Sequence, residues 1–135
     1  MIFLLDTNAI SDAAAEKPAI VSRISKISSA DSLGTCTIVR GELLFGIQKM
    51  PHGKRRRETE IKMLAVLTKL VCYSIPESAA EHYATIKLQC QRKGTPVDEN
   101  DLWIAATTLA MQATLVSRDT DFKQVDGLQL EDWTQ

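Results

Sequence analysis

Membrane-length apolar runs, a cysteine framework, an excess of basic charge and a supply of histidines are all missing from this sequence of 135 residues. The apolar stretch Leu102 to Met111 is broken by threonines and falls well short of the roughly 20 residues that a spanning helix needs, so no membrane segment is expected. No basic segment leads into an apolar run at the start, because Ile2 to Leu5 meets Asp6 at once; a secretory leader is not expected, and a cytoplasmic location is. Cys36, Cys72 and Cys90 are odd in number, far apart and without a C-x-x-C, which gives no basis for a disulfide framework or a zinc site and predicts reduced, buried core residues. Lys and Arg total 16 against 17 Asp and Glu, so the chain lacks the basic surface of a protein that grips nucleic acid by phosphate contacts alone. His52 and His82, one in a loop and one within a helix, offer little for histidine acid–base cleavage of RNA. Internal repeats and low-complexity tracts are absent as well.

What remains is a chain of 44% hydrophobic residues, long enough for one proper core and too short for two ordinary ones; it reads as a single domain over residues 1–135. Ile2 to Leu5, Leu70 to Ile75 and Thr114 to Val116 have strand length and composition, and Leu128 to Leu130 adds a candidate edge strand. Helical spacing links Ile20, Ile24 and Ile27, then Val39, Leu43, Ile47 and Met50, then Ile61, Leu64 and Leu67 within Lys54 to Leu70. Pro76 with Glu77 opens a further helix that Gly94 and Pro96 stop, and another runs from Glu99 to Gln112. Strands alternating with helices predict an α/β fold, a central parallel sheet flanked by helices on both faces. Ligands of such sheets bind beyond the carboxyl ends of the strands. Asp6 follows the first strand and Asp119 and Asp121 follow the Thr114 strand, so these acids should share one edge.

Two further acids occupy unusual positions. Glu42 has Ile38, Val39, Phe45 and Gly46 as its helical neighbours, so it should point where solvent is scarce. A carboxylate there is costly unless protonated, bound to a cation or ion-paired, with Arg40 or Arg118 as the candidate partners. Asp101 opens the apolar run Leu102 to Ala106, where it either borders the core or caps the helix, a role for which Asp98, Glu99 and Asn100 compete. Capping can also explain Asp6, and a local turn Asp119 with Asp121. What capping does not predict is four acid positions converging from four elements. Divalent cations do: Mg²⁺ and Mn²⁺ prefer oxygen ligands, and a bound metal can activate water against a phosphodiester.

The order of segments resembles the PIN domain, and within it the VapC-type toxins of toxin–antitoxin pairs. The resemblance is carried by L-L-D-T-N at Leu4 to Asn8, T-I-V-R-G-E-L-L-F-G-I at Thr37 to Ile47 and G-T-P-V-D-E-N-D-L-W-I-A-A-T at Gly94 to Thr107. It continues through L-V-S-R-D-T-D-F at Leu115 to Phe122 and G-L-Q-L-E-D-W at Gly127 to Trp133, and the P-H-G-K-R-R-R stretch at Pro51 to Arg57 is similar to the FitB-like branch. The resemblance implies that Asp6, Glu42 and Asp101 are the principal metal-site acids and Asp119 the fourth, with Asp121 as its alternative. Asp98 either joins the site or caps the helix. Thr7, Asn8 and Ser117 match small polar positions that hydrogen-bond the acids or bound water. The expected activity is a Mg²⁺- or Mn²⁺-dependent endoribonuclease, dimeric and neutralised by a VapB-type antitoxin whose basic tail would suit a cleft of carboxylates. Lys54, Arg55, Arg56 and Arg57 are expected to guide RNA phosphates beside the acids, although such a run also reads as a solvated helix start.

Two rival readings remain. A phospho-aspartate enzyme would use Asp6 as nucleophile, but the D-T-N sequence lacks a second acid two residues on. A catalytically silent module of the same fold would bind RNA or antitoxin without cutting. Trp103, Trp133, Phe45 and Phe122 read as packing residues rather than base-stacking platforms, and the Tyr83, Ile86, Lys87 and Cys90 face as core or as a protein contact.

Overall fold

The structure, a computed structural model, describes residues 1–135. Five parallel strands form one sheet in the order β3-β2-β1-β4-β5: β1 is Ile2–Leu5, β2 Ser32–Cys36, β3 Val71–Tyr73, β4 Thr114–Val116 and β5 Leu130–Glu131. β1 is central, and its unbroken apolar run is what a strand covered on both faces requires. Phe3, Leu4 and Leu5 are buried accordingly, as is all of β4. The chain moves from β1 outward through β2 to β3, then crosses back to place β4 on the other side of β1. This reversal opens a crevice between the carboxyl ends of β1 and β4, the place where open α/β sheets hold ligands.

Six helices connect the strands: α1 Thr7–Ala14, α2 Pro18–Ser25, α3 Thr37–Gln48, α4 Lys54–Leu67, α5 Ala79–Lys93 and α6 Glu99–Ala110, with a 3-10 turn at Thr120–Gln124. α6 is the most deeply set, burying Leu102, Ile104, Ala105, Ala106, Thr107 and Thr108. Its two buried threonines satisfy their hydroxyls on the carbonyls of Trp103 and Ile104, each at 2.8 Å, so polar side chains fit inside the core at no unpaired cost. Gly94 ends α5 at φ 69°, a left-handed conformation that glycine adopts without strain. No helix is long and apolar enough to cross a membrane.

The strand β2 had no counterpart in the sequence reading. Its sequence Ser-Leu-Gly-Thr-Cys has neither an apolar run nor clean alternation, and it is held by tertiary contacts instead. Thr35 is fully buried and donates its hydroxyl to the Leu5 carbonyl at 2.8 Å. At Gly34 a Cβ would stand 2.6 Å from the Tyr73 ring and from the Val71 carbonyl, so the close approach of β3 demands glycine.

Several other expectations are corrected. Cys36 and Cys90 are buried, but Cys72 is exposed, because β3 is an edge strand. Ile61 is 67% exposed on α4, whose helical spacing alone suggested burial. Phe45 is 65% exposed with Lys49 Nζ 5.5 Å above its ring, so it is not a packing residue of the core; Trp133 and Phe122 are. Ile27 and Met50 fall just past the ends of α2 and α3, the edge strand is Leu130–Glu131, and α5 begins at Ala79, after the turn that follows Pro76.

Candidate active site

β1 delivers Asp6 to the carboxyl edge of the sheet, where its N–H still pairs with the Val116 carbonyl at 3.1 Å. The residue is 4% exposed. One carboxylate oxygen accepts the Ala9 N–H at 2.8 Å, so Asp6 does cap α1, and the other accepts the Ser117 hydroxyl. Burial pushes the Asp6 carboxyl up to about 6, with the Ser117 and Ala9 hydrogen bonds opposing the rise. The Ser117 oxygen in turn accepts the Asp119 N–H at 3.0 Å, which couples the ends of β1 and β4.

Asp119 caps the 3-10 turn by accepting the Asp121 N–H at 2.9 Å, the local turn foreseen from the sequence. Asp101, in the first turn of α6, brings a carboxylate oxygen to the same place: one oxygen each from Asp101, Asp119 and Asp121 lie within 4.8 Å of one another. The Asp101 carboxyl is pushed up to about 7, chiefly by burial and then by the charges of Asp119, Asp98, Glu42 and Asp6. Asp98 stands at the N-cap position of α6 but makes no side-chain capping bond.

Glu42 is half-buried on α3. Its two oxygens accept the Thr7 hydroxyl at 2.7 Å and the Asn100 amide at 3.4 Å. Neither cation foreseen as its partner reaches it. Arg118 instead donates from Nε to Asp12 at 2.9 Å, and Arg40 makes no ion pair. The same holds across the edge: no Lys or Arg forms a salt bridge with Asp6, Glu42, Asp101, Asp119 or Asp121.

An edge of oxygen donors in which Asp6 and Asp101 are held above the usual carboxylate range, and in which no acid forms a salt bridge to a Lys or Arg, has the donor chemistry of a hard divalent cation site. Its donors are carboxylates, hydroxyls and an amide, with no thiolate or imidazole that would favour zinc.

The PIN domain family model matches residues 3–128. This chain belongs to the PIN domain family. Among its relatives, ribonuclease VapC1 of Haemophilus influenzae strain R2866 is 32% identical over 138 residues, covering 100% of both chains. Among solved structures, VapBC2 of Rickettsia felis bound to a promoter DNA fragment superposes with a TM-score of 0.89 at 27% identity, covering 98% of this chain and 99% of that one. VapBC-1 of nontypeable Haemophilus influenzae gives a TM-score of 0.87 at 26% identity over 100% of each chain.

Against this PIN frame, Asp6, Glu42, Asp101 and Asp119 come from four elements to one edge, but only Asp101, Asp119 and Asp121 form the tight trio. Thr7 and Ser117 contact the acids, whereas Asn8 is half-buried on α1 and makes no side-chain hydrogen bond. Asn100, weighed from sequence only as a cap, holds Glu42. The Lys54–Arg57 run begins α4; Arg56 donates to the Met50 carbonyl at 3.3 Å and meets His52, while Lys54 and Arg55 line an open pocket that contains no acid of the edge. The cation set between two site residues is Arg118, whose partner is Asp12 rather than Glu42.

Proposed function

We propose that this chain is a Mg²⁺- or Mn²⁺-dependent endoribonuclease, the toxin of a type II toxin–antitoxin pair, acting in the cytoplasm as one PIN domain over residues 1–135. The observation that carries the reading is the convergence of Asp6, Glu42, Asp101 and Asp119 on one sheet edge without an ion-pair partner among them. Support comes from the VapC1 ribonuclease, which this chain matches along its full length.

Asp101, Asp119 and Asp121 would hold the cation, with Asp6 and Glu42 completing the acidic wall. When bound, it supplies a Lewis acid and a water of lowered pKa at the phosphodiester. The chain's own part is orientation. Ser117 fixes Asp6 and the Asp119 backbone together, while Thr7 and Asn100 fix the two oxygens of Glu42. Asn8 and Asp98 would serve as auxiliary groups. Exposed Lys54, Arg55 and Arg57 would draw the RNA backbone in, with Arg56 also fastening the loop before α4.

The partners proposed are an RNA substrate, a second copy of the chain and a VapB-type antitoxin. A basic segment of the antitoxin would be attracted by the same unpaired acids. The neighbouring structures are VapBC proteins, which supports that partner.

The test is cleavage of labelled structured RNAs by the purified protein in Mg²⁺ or Mn²⁺, with and without EDTA. Cutting that EDTA abolishes is expected; cutting indifferent to EDTA would sink the reading.

A further inference from the structure

A polar cleft of about 330 Å³ opens beside the acid edge. It shares Ser117 and Asp119 with that edge and adds Arg118, Thr120, Lys123 and Asp132 to its lining. Its volume falls in the range of small-ligand pockets, roughly 300 to 1,000 Å³. Two cations therefore face a cleft continuous with the place where the metal is proposed to sit.

Arg118 is fixed in an unusual way. Asp12, only 3% exposed, accepts Arg118 Nε at 2.9 Å on one oxygen and Lys17 Nζ at 2.8 Å on the other. The two terminal nitrogens of the Arg118 guanidinium bond nothing in the protein, and the side chain stays 44% exposed. A guanidinium presents a planar fork of donors matched to phosphate, and one already anchored through Nε loses little side-chain entropy on binding. Lys123 makes neither an ion pair nor a hydrogen bond with any side chain or carbonyl. Of the two lining acids, Asp132 accepts the Thr134 N–H and hydroxyl on one oxygen, and Asp119 belongs to the proposed metal trio.

An acidic edge repels the phosphates on either side of a scissile bond, and Lys54 and Arg55 of the basic run line a different pocket. We propose that the Arg118 cleft is a subsite for a phosphate of the RNA strand flanking the scissile one. Arg118 is the forked donor, Lys123 the second cation, and Asp12 a positioning residue that acts through Arg118. The proposal rests on the ribonuclease reading above and adds a route for the strand.

Binding of a fluorescein-labelled single-stranded RNA, read by anisotropy, tests it. An Asp101→Asn background keeps the RNA intact and lowers the repulsion at the edge. There, Arg118→Ala should weaken binding roughly tenfold or more. It should also reduce the slope of log Kd against log salt by about 0.7, the value for one lost phosphate contact on a single strand. Lys123→Ala should weaken binding in the same direction. Arg118→Lys should restore the salt slope but only part of the affinity, and Asp12→Asn should weaken binding although the arginine remains. With Asp101 restored, Arg118→Ala should raise KM and leave kcat nearly unchanged. Exposed Lys62, on α4 and outside the cleft, is the control. If Arg118→Ala and Lys123→Ala match Lys62→Ala in affinity and salt slope while the protein cuts RNA, the subsite is wrong and the nuclease stands. If they lose binding and no RNA is ever cut, the cleft is an RNA-phosphate site with no scissile neighbour: the nuclease reading falls and the flanking-subsite assignment falls with it. A background protein that binds no RNA overturns the subsite. Arg118 and Lys123 are exposed, so the test holds even if Asp12→Asn fails to fold.

Discussion

Ser117 donates its hydroxyl to Asp6 from across the crevice between β1 and β4, and the same oxygen accepts the Asp119 N–H at 3.0 Å. One small side chain thus sets the orientation of two acids from different strands. Groups that orient metal-site carboxylates typically carry about 10- to 100-fold of affinity or activity. Ser117→Ala should therefore lower kcat by about that factor while leaving the fold intact by circular dichroism. A variant as active as the parent would show that the strands alone place Asp6.

The acids also set a pH dependence for the metal-free protein. Asp101 and Asp6, ordinarily at 3.8, are pushed up to about 7 and about 6, chiefly by burial. Folding thus disfavours their charged forms: the penalty is absent below the unfolded value, grows as pH rises from about 4 to about 7, and is constant above. The groups facing Asp101, namely Asp119, Asp98, Glu42 and Asp6, are all acids and all add to it. In EDTA, the melting temperature should fall between about pH 4 and about pH 7, and Asp101→Asn should flatten the fall. Mn²⁺ should raise the melting temperature more at the upper pH. A metal-free Tm that climbs over this window would contradict the charge repulsion argued for the edge.

Much of this edge is legible in the sequence because strand-end acids and an acid within an apolar helix are conspicuous. Asp6 after Ile2 to Leu5 and Asp119 after Thr114 to Val116 follow from the parallel-sheet rule alone. Less legible are residues whose roles depend on distant partners. Arg118 contacts Asp12, and Asn100 contacts Glu42 from another helix, so no local pattern marks either pair. Ile61 carries helical spacing and Phe45 reads as a packing residue by its apolar type, yet both face solvent, because neither spacing nor residue type shows whether another element covers the position. β2 is missed for a related reason: its pairing with β1 and β3, rather than its composition, makes Ser32–Cys36 a strand.

Gly34 gives that last point a direct check. A Cβ there meets both a ring and a backbone carbonyl at 2.6 Å, and the carbonyl cannot step aside as a flexible side chain would. Gly34→Ala should cost about 1 to 3 kcal/mol, in line with other overpacking changes, as read from urea unfolding. A loss near zero would mean that β3 shifts freely on the sheet.

The central claim is that the unpaired carboxylates form a divalent-cation site. Calorimetric titration of Mn²⁺ into metal-free protein tests it most directly, comparing the parent with Asp101→Asn and Asp119→Asn. The account predicts saturable binding in the parent, weakened roughly tenfold or more in both variants. No saturable binding in the parent, or curves in the variants that superimpose on it, would contradict the account.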